Sequence, residues 1–124
     1  MKVGIVGTGL VGSTAAYTIT PEGVASEIVL IDLDEKLARA HAEDIYHATP
    51  HGHPVRIYAG NYEDLHSAMA VILCCGVGQK EGESRLNLLE RNAEVFANVI
   101  PEVIAAAPET LLIITSHPVA IITQ

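Results

Sequence analysis

Three glycines near the start of the chain have a spacing suited to binding phosphate. Gly7, Gly9 and Gly12 follow a short apolar, β-branched run at residues 3–6 and precede a helical pattern. In a strand–turn–helix of this kind the first glycine turns the chain, the second lets the backbone approach a pyrophosphate, and the third lets helix and strand pack closely. The helix N-terminus adds N–H groups and a positive dipole end. The predicted cofactor-binding residues here are Gly7, Thr8, Gly9, Leu10, Val11 and Gly12.

An acidic residue follows at the distance that a dinucleotide site requires. The apolar run Glu27–Ile31 ends in Asp32, twenty residues after Gly12, where a carboxylate can accept both ribose hydroxyls of an adenine nucleotide. Leu33 and Asp34 come next, without an arginine to hold a 2′-phosphate, so the pattern favours NAD over NADP. Asp32 could instead cap the following helix. The glycine turn upstream favours the ribose role.

The elements that must position these residues alternate along the chain. Apolar runs predict strands near 3–6, 27–31, 55–59, 69–75 and 111–115, and helical patterns lie near 10–19, 34–48, 62–68 and from Ser84 onward. Pro21 is expected to end the first helix. Alternating strands and helices predict an α/β Rossmann-type parallel sheet of five strands in the order 3-2-1-4-5, with helices on both faces and the sixth strand absent. We expect residues 1–124 to form one NAD-binding domain, incomplete at its C-terminus.

The helical stripes predict which residues face the sheet. The expected buried faces are Val11, Ala15 and Ile19 in the first helix, Leu37, His41 and Ile45 in the second, and Leu89, Ala93, Phe96, Ile100 and Val103 in the long helix. A loop bearing glycines starts at Gly76, after the fourth strand. Ligands bind at that end of an open α/β sheet, so Gly76 is a further candidate for cofactor binding.

Composition and charge exclude several classes of partner. Seven Lys and Arg stand against fifteen Asp and Glu, giving a net charge of −8, which argues against nucleic acid and anionic membrane. No apolar run has the length of a membrane span, and the N-terminus resembles no targeting signal, so we expect a cytoplasmic protein. Cys74 and Cys75 are adjacent and are expected to be buried residues rather than a disulfide. His51 and His53 lack partners at zinc spacing, so no metal site is predicted.

Four stretches of the chain read GIVGTGLVGSTAAY, LIDLD, AHAEDIYHATP and GQKEGESRLNLLERNAEVF. They resemble the L-lactate and malate dehydrogenase family, and more closely the bacterial L-lactate dehydrogenases, and the resemblance covers nearly all 124 residues. It implies a Rossmann domain that binds NAD, a small 2-hydroxy or 2-keto acid substrate (lactate and pyruvate), and a homo-oligomer, a tetramer in the complete family enzyme.

The resemblance also implies roles for residues after the fourth strand. Gln79 matches the position that reads the substrate side chain, where malate-specific members carry arginine. The loop from Gly78 to Gly82 matches a lid, and Arg85 matches the catalytic arginine that polarises the ketone oxygen and binds substrate. Asn92 matches a position that faces the substrate pocket.

Near its end the chain departs from the family pattern. His117 stands where the family has an asparagine that contacts the nicotinamide ribose and substrate, and we expect it to contact the cofactor. The family's Asp–His proton relay would lie beyond Gln124, in a catalytic domain that we expect to be absent, so these 124 residues alone are predicted not to turn over. Three alternatives stay open: a non-catalytic NAD- or adenine-nucleotide-binding module, malate dehydrogenase-like substrate use, and another Rossmann enzyme, against which GESRLNLLERN argues.

Overall fold

A parallel sheet of five strands organises the protein. The computed structural model describes residues 1–49 and 53–116. The strands are β1 (Lys2–Val6), β2 (Glu27–Ile31), β3 (Arg56–Ala59), β4 (Ala70–Leu73) and β5 (Leu111–Ile114). They lie in the order β3-β2-β1-β4-β5, and every neighbouring pair is parallel. The predicted strand order is therefore confirmed.

Helices cover the sheet on both faces. On one face lie α1 (Leu10–Glu22) and α2 (Glu35–His47), which pack on Ile5, Ile28 and Leu30. The other face carries α3 (Arg85–Ala106) and a short 3₁₀ helix, Tyr62–Leu65. Successive strand residues point to opposite faces, so the continuous apolar runs of β1 and β2 supply both cores.

The first helix extends past its predicted end. Pro21 lies inside α1, which continues to Glu22. Proline removes one backbone hydrogen bond from a helix, and α1 continues for only one residue beyond it. The helix ends instead at Gly23, whose left-handed φ of 65° places its N–H 3.3 Å from the carbonyl oxygen of Thr20. A glycine in this conformation is a common helix terminator.

Mainly small residues form the buried faces of α1 and α2, whereas α3 buries larger residues. The buried residues are Gly12, Ala16 and Thr20 in α1, Ala38, Ala42 and Ile45 in α2, and Asn92, Phe96, Val99 and Val103 in α3. The predicted face positions Val11, Leu37 and Ala93 are exposed, which corrects those three assignments. In α1 and α2 small side chains let the helices approach the strands closely, so Ala16 and Ala38 are buried in place of Val11 and Leu37.

The two cysteines belong to different cores. Cys74 packs against the core under α1 and α2, and Cys75 packs against the core under α3. Both are free thiols and half-buried, less buried than expected. Their side chains lie on opposite faces of the sheet, which separates the two sulfur atoms. Burial raises the pKa of Cys75 to about 11, so its thiol is protonated at neutral pH.

Within residues 1–49 and 53–116, no helix has the length and apolar character needed to cross a membrane. In the same ranges no three His, Cys, Asp or Glu side chains are grouped to hold a metal ion.

Candidate nucleotide-binding site

Gly7 ends β1 in a turn that only glycine fits. Its φ is +92°, and its N–H donates to the carbonyl oxygen of Ile31 at 2.8 Å. A Cβ atom at this position would lie 2.6 Å from the backbone nitrogen of Cys75. The turn is therefore held between the ends of β2 and β4, at the carboxyl edge of the sheet where this fold binds ligands.

Gly12 is closely packed, whereas Gly9 faces open space. A Cβ atom on Gly12 would collide with the carbonyl oxygen of Gly7, so the absence of a side chain lets α1 pack against the turn. A Cβ atom on Gly9 would meet nothing within 4 Å. Gly9 is also the N-cap of α1 and has no side chain to cap it. Open space beside a helix N-terminus suits a phosphate group.

Asp32 is held beneath this turn by Thr8. Asp32 Oδ2 accepts hydrogen bonds from the Thr8 backbone nitrogen at 2.7 Å and from Thr8 Oγ1 at 2.9 Å, while Oδ1 accepts from the Asp34 nitrogen at 2.9 Å. Thr8 is fully buried. Its side chain therefore positions Asp32, and its own contact with a cofactor stays a prediction.

The same contacts decide the charge of Asp32. Partial burial raises the pKa of Asp32, but the hydrogen bonds from the Thr8 and Asp34 backbone and from the Thr8 hydroxyl outweigh it, so its pKa is lowered overall. Asp32 is thus ionised at neutral pH and can accept hydrogen bonds from hydroxyl groups. A shallow, open depression lined by Leu33, Asp34, Glu35 and Lys36 adjoins it. The Asp34 side chain caps α2 by accepting hydrogen bonds from the Lys36 and Leu37 nitrogens.

Leu10 and Val11 begin α1 beside the glycine turn. Both side chains are exposed. They lie next to the open space over Gly9, so the structure leaves them accessible to a ligand bound there. The predicted six-residue cofactor segment is therefore assembled in one place, with Asp32 at the end of the neighbouring strand β2.

The loop after β4 is fastened to α3 by Asn92. Asn92 is buried, and its Oδ1 accepts a hydrogen bond from the Val77 nitrogen at 2.9 Å. A Cβ atom on Gly76 would lie 3.1 Å from the same oxygen. Ser116 Oγ donates to the Cys75 carbonyl oxygen at 2.6 Å, which joins the end of β5 to this point. Gly76 therefore lies near Asn92 of α3 and near Ser116, just after β5, but remains exposed to solvent.

Gln79 lies on the exposed loop before α3, and Arg85 lies at the start of that helix. Gln79 Nε2 donates to the Glu83 carbonyl oxygen at 2.8 Å. Arg85 is the first residue of α3, which Ser84 caps by accepting from the Asn87 nitrogen at 3.2 Å. His117 lies outside the described residues.

Two residues that sequence reasoning missed organise this loop. The Glu83 carboxylate accepts from the Lys80 nitrogen at 2.8 Å and from Arg91 Nη1 at 2.8 and 2.9 Å. The backbone N–H of Lys80 and the guanidinium of Arg91 lower the pKa of Glu83. Their separation of eight residues matches no helical pairing rule, because Glu83 precedes the helix that carries Arg91.

Strand order, glycine turn and carboxylate together define a dinucleotide-binding domain of the Rossmann class. The chain matches the lactate/malate dehydrogenase, NAD binding domain, over residues 1–124. It belongs to that family, and NAD is the cofactor that the family description names.

Individual relatives agree with this assignment. An L-lactate dehydrogenase of Thermus aquaticus is 59% identical over all of this chain and 40% of its own length. The crystal structure of a minor L-lactate dehydrogenase from Enterococcus mundtii superposes with a TM-score of 0.94 at 40% identity, covering 98% of this chain and 39% of that one. A malate dehydrogenase from Archaeoglobus fulgidus in complex with NADH superposes with a TM-score of 0.92 at 31% identity, covering 99% and 42%. The chain thus spans about 40% of the length of the relatives it matches.

Proposed function

We propose that this chain is the NAD-binding part of an L-lactate dehydrogenase, which interconverts pyruvate and L-lactate with NADH and NAD in the complete enzyme. The observation that carries the proposal is the pairing of Asp32 with Thr8 directly beneath the glycine turn. That pairing orients an ionised carboxylate beside an open helix N-terminus. The chain's 59% identity with an L-lactate dehydrogenase supports the choice of substrate.

At the adenine end, the chain's own groups account for NAD binding. The pyrophosphate would lie over Gly9 against the N–H groups of α1, next to the exposed Leu10 and Val11. Asp32 would accept the ribose hydroxyls. The carboxylates of Asp32 and Asp34 would repel a 2′-phosphate, and no arginine is among the residues that line the depression, although Lys36 lines it and His41 interacts electrostatically with Asp32. These features favour NAD over NADP.

At the substrate end, roles follow from the family resemblance. We propose that Gln79 reads the substrate side chain, because a neutral amide leaves room for a methyl group where an arginine would pair with a second carboxylate. Arg85 would polarise the ketone oxygen as negative charge develops on it during hydride transfer. Asn92 would face the substrate pocket, and Gly76 and His117 would complete the nicotinamide end.

We further propose that these 124 residues alone bind nucleotide without turnover. Reduction of a ketone needs a proton donor within hydrogen-bond reach of the oxygen. In the described ranges, histidines lie on α2 (His41 and His47), after it (His53) and after the 3₁₀ helix (His66), away from the loop that carries Gln79.

The second candidate function is that of a malate dehydrogenase, which acts on malate and oxaloacetate. The similarity to a malate dehydrogenase of known structure favours it. Gln79 argues against it, because oxaloacetate would bring a second carboxylate to a residue that carries no charge.

If Asp32 accepts hydrogen bonds from the ribose hydroxyls, Asp32→Asn should weaken NADH binding more than NADPH binding. Its amide oxygen can still accept from Thr8, so the fold should survive, but ribose hydroxyls would lose an ionic acceptor. A hydrogen bond to a charged group contributes about 1.5–3 kcal/mol, so we expect NADH affinity to fall about 10- to 200-fold, and affinity for NADPH to fall less. Titration of NADH fluorescence measures both dissociation constants.

Glu35→Gln is the matched control for this test. It removes one negative charge from the same depression but leaves Asp32 and its hydrogen bonds intact. We expect unchanged NADH affinity. Equal effects of the two variants would show that Asp32 acts only through general charge, and would contradict the ribose role.

We also propose that the protein is cytoplasmic and self-associates. In the described sheet β5 is an outer strand, and its Leu111 and Ile113 side chains are 63% and 40% exposed. Exposed apolar residues on an outer strand favour association. Light scattering of the chain at high micromolar concentration should therefore show a dimer or larger species, and Ile113→Lys should shift it toward monomer. A monodisperse monomer of the unmodified chain would contradict the proposal.

A further inference from the structure

In addition to the Asn92 contact at Val77, the Glu83 carboxylate connects the loop before α3 to that helix. The Glu83 side chain is only 8% exposed, although the loop around it is open to solvent. Both of its oxygens accept from Arg91 Nη1, and Oε2 also accepts from the Lys80 nitrogen. Arg91 Nη1 additionally lies 3.4 Å from the Gly78 carbonyl oxygen. Arg91 therefore contacts the loop at two places.

The same loop is closed on itself. The Glu83 nitrogen donates to the Lys80 carbonyl oxygen at 3.0 Å, and Gly82 supplies the left-handed residue of this turn with a φ of +75°. The side chain of Gln79 bonds to the Glu83 carbonyl oxygen. Residues 78–83 thus form a compact turn whose connections to α3 converge on Glu83 and Arg91.

We propose that Glu83 is a positioning residue, whose carboxylate holds residues 78–83 on Arg91 so that Gln79 and Arg85 are presented to the substrate as one unit. This inference rests on the proposed function, because it assigns the placement of the two residues proposed to bind substrate. Glu83 does not itself contact the substrate. It fixes the Gln79 amide through its own carbonyl group, and it stands two residues before Arg85 at the capped start of α3.

A solvent-exposed ion pair would not suffice for this role, because such pairs contribute little to stability. This pair differs in two respects. The Glu83 side chain is nearly inaccessible, and its carboxylate also satisfies a backbone N–H group of the loop. Loss of the carboxylate would release the Lys80 nitrogen and the Arg91 side chain together, which frees both ends of the turn.

The experiment compares Glu83→Gln, Arg91→Met and the double variant in the full-length protein that contains this chain. The control is Glu90→Gln, which removes a charge next to Arg91 on the exposed side of α3. The measurements are kcat and KM for pyruvate, the dissociation constant of NADH, and the rate of trypsin cleavage after Lys80 in the native protein.

For Glu83→Gln and Arg91→Met we expect kcat/KM for pyruvate to fall about tenfold or more and NADH affinity to stay within about twofold, as befits a role confined to the substrate loop. The double variant should lose clearly less than the sum of the two single losses, because both single variants remove the ion pair between Glu83 and Arg91. Cleavage after Lys80 should be about tenfold faster in Glu83→Gln, while Glu90→Gln behaves like the unmodified protein.

Two outcomes would overturn the proposal: additive losses in the double variant, or equal cleavage and kcat/KM in Glu83→Gln and Glu90→Gln. Absence of pyruvate reduction by the unmodified protein would refute the proposed function instead. The cleavage rates would still report whether Glu83 orders the loop, since they do not depend on turnover.

Discussion

Replacing Gly12 by alanine should abolish nucleotide binding and destabilise the whole domain. The new methyl group would collide with the carbonyl oxygen of Gly7, a backbone atom fixed by its place between β2 and β4. Overpacking of this kind costs about 1–3 kcal/mol, and we expect about 3 because no side chain can move aside. At a few degrees per kcal/mol, Tm should fall by about 10 °C.

The Gly9→Ala variant should lose nucleotide binding while its fold stays stable. The backbone at Gly9 has a φ of −68° and a ψ of −156°, which alanine tolerates, and its Cβ atom would meet nothing within 4 Å. Tm should therefore stay close to that of the unmodified chain. The methyl group would fill the space that a pyrophosphate needs, so NADH affinity should fall at least about tenfold.

Thermal unfolding and NADH titration of both variants check these expectations. Normal NADH binding by Gly9→Ala would show that the phosphates do not pass over Gly9. A Gly12→Ala variant as stable as the unmodified chain would contradict the close approach of α1 to the turn.

Gln79→Arg should shift substrate preference of the complete enzyme from pyruvate toward oxaloacetate. The guanidinium can pair with the second carboxylate of oxaloacetate through two parallel hydrogen bonds, whereas a cation beside the methyl group of pyruvate has no partner. Charged hydrogen bonds contribute about 1.5–3 kcal/mol, so the ratio of kcat/KM values should change about 10- to 200-fold.

The control for this exchange is Gln79→Lys. It adds the same charge without the planar fork, and we expect a smaller shift toward oxaloacetate. Steady-state kinetics with both keto acids gives the ratios. An unchanged ratio of the kcat/KM values for oxaloacetate and pyruvate in Gln79→Arg would contradict the proposal that Gln79 determines substrate specificity.

Local patterns predicted the sheet because they contain its physical causes. The runs at residues 3–6 and 28–31 are continuous and apolar, as buried parallel strands require, and the alternation with helices predicts the strand order. The glycine spacing placed the turn correctly because a tight bend and a close helix approach demand glycine at set intervals. Gly7 and Gly12 both show the predicted geometry.

The buried helix faces and the long-range contacts could not be predicted, because both depend on tertiary packing. Packing on the sheet selected Ala16 and Ala38 over the larger Val11 and Leu37, since helix–sheet distance depends on the partner surface as well as on helical period. The bond between Thr8 and Asp32 joins residues 24 apart in sequence. It exists only because β1 and β2 are neighbours, so no local pattern could reveal it.

The most direct test of the account is a titration of the chain with NADH, followed by nicotinamide fluorescence and thermal unfolding, with AMP and NADPH for comparison. A ligand that binds the folded state raises its stability with concentration. We predict saturable stabilisation by both NADH and AMP, and a weaker effect of NADPH, because the glycine turn and Asp32 form the adenine half of the site. No stabilisation by any of the three would contradict the central claim that these residues form a nucleotide-binding site.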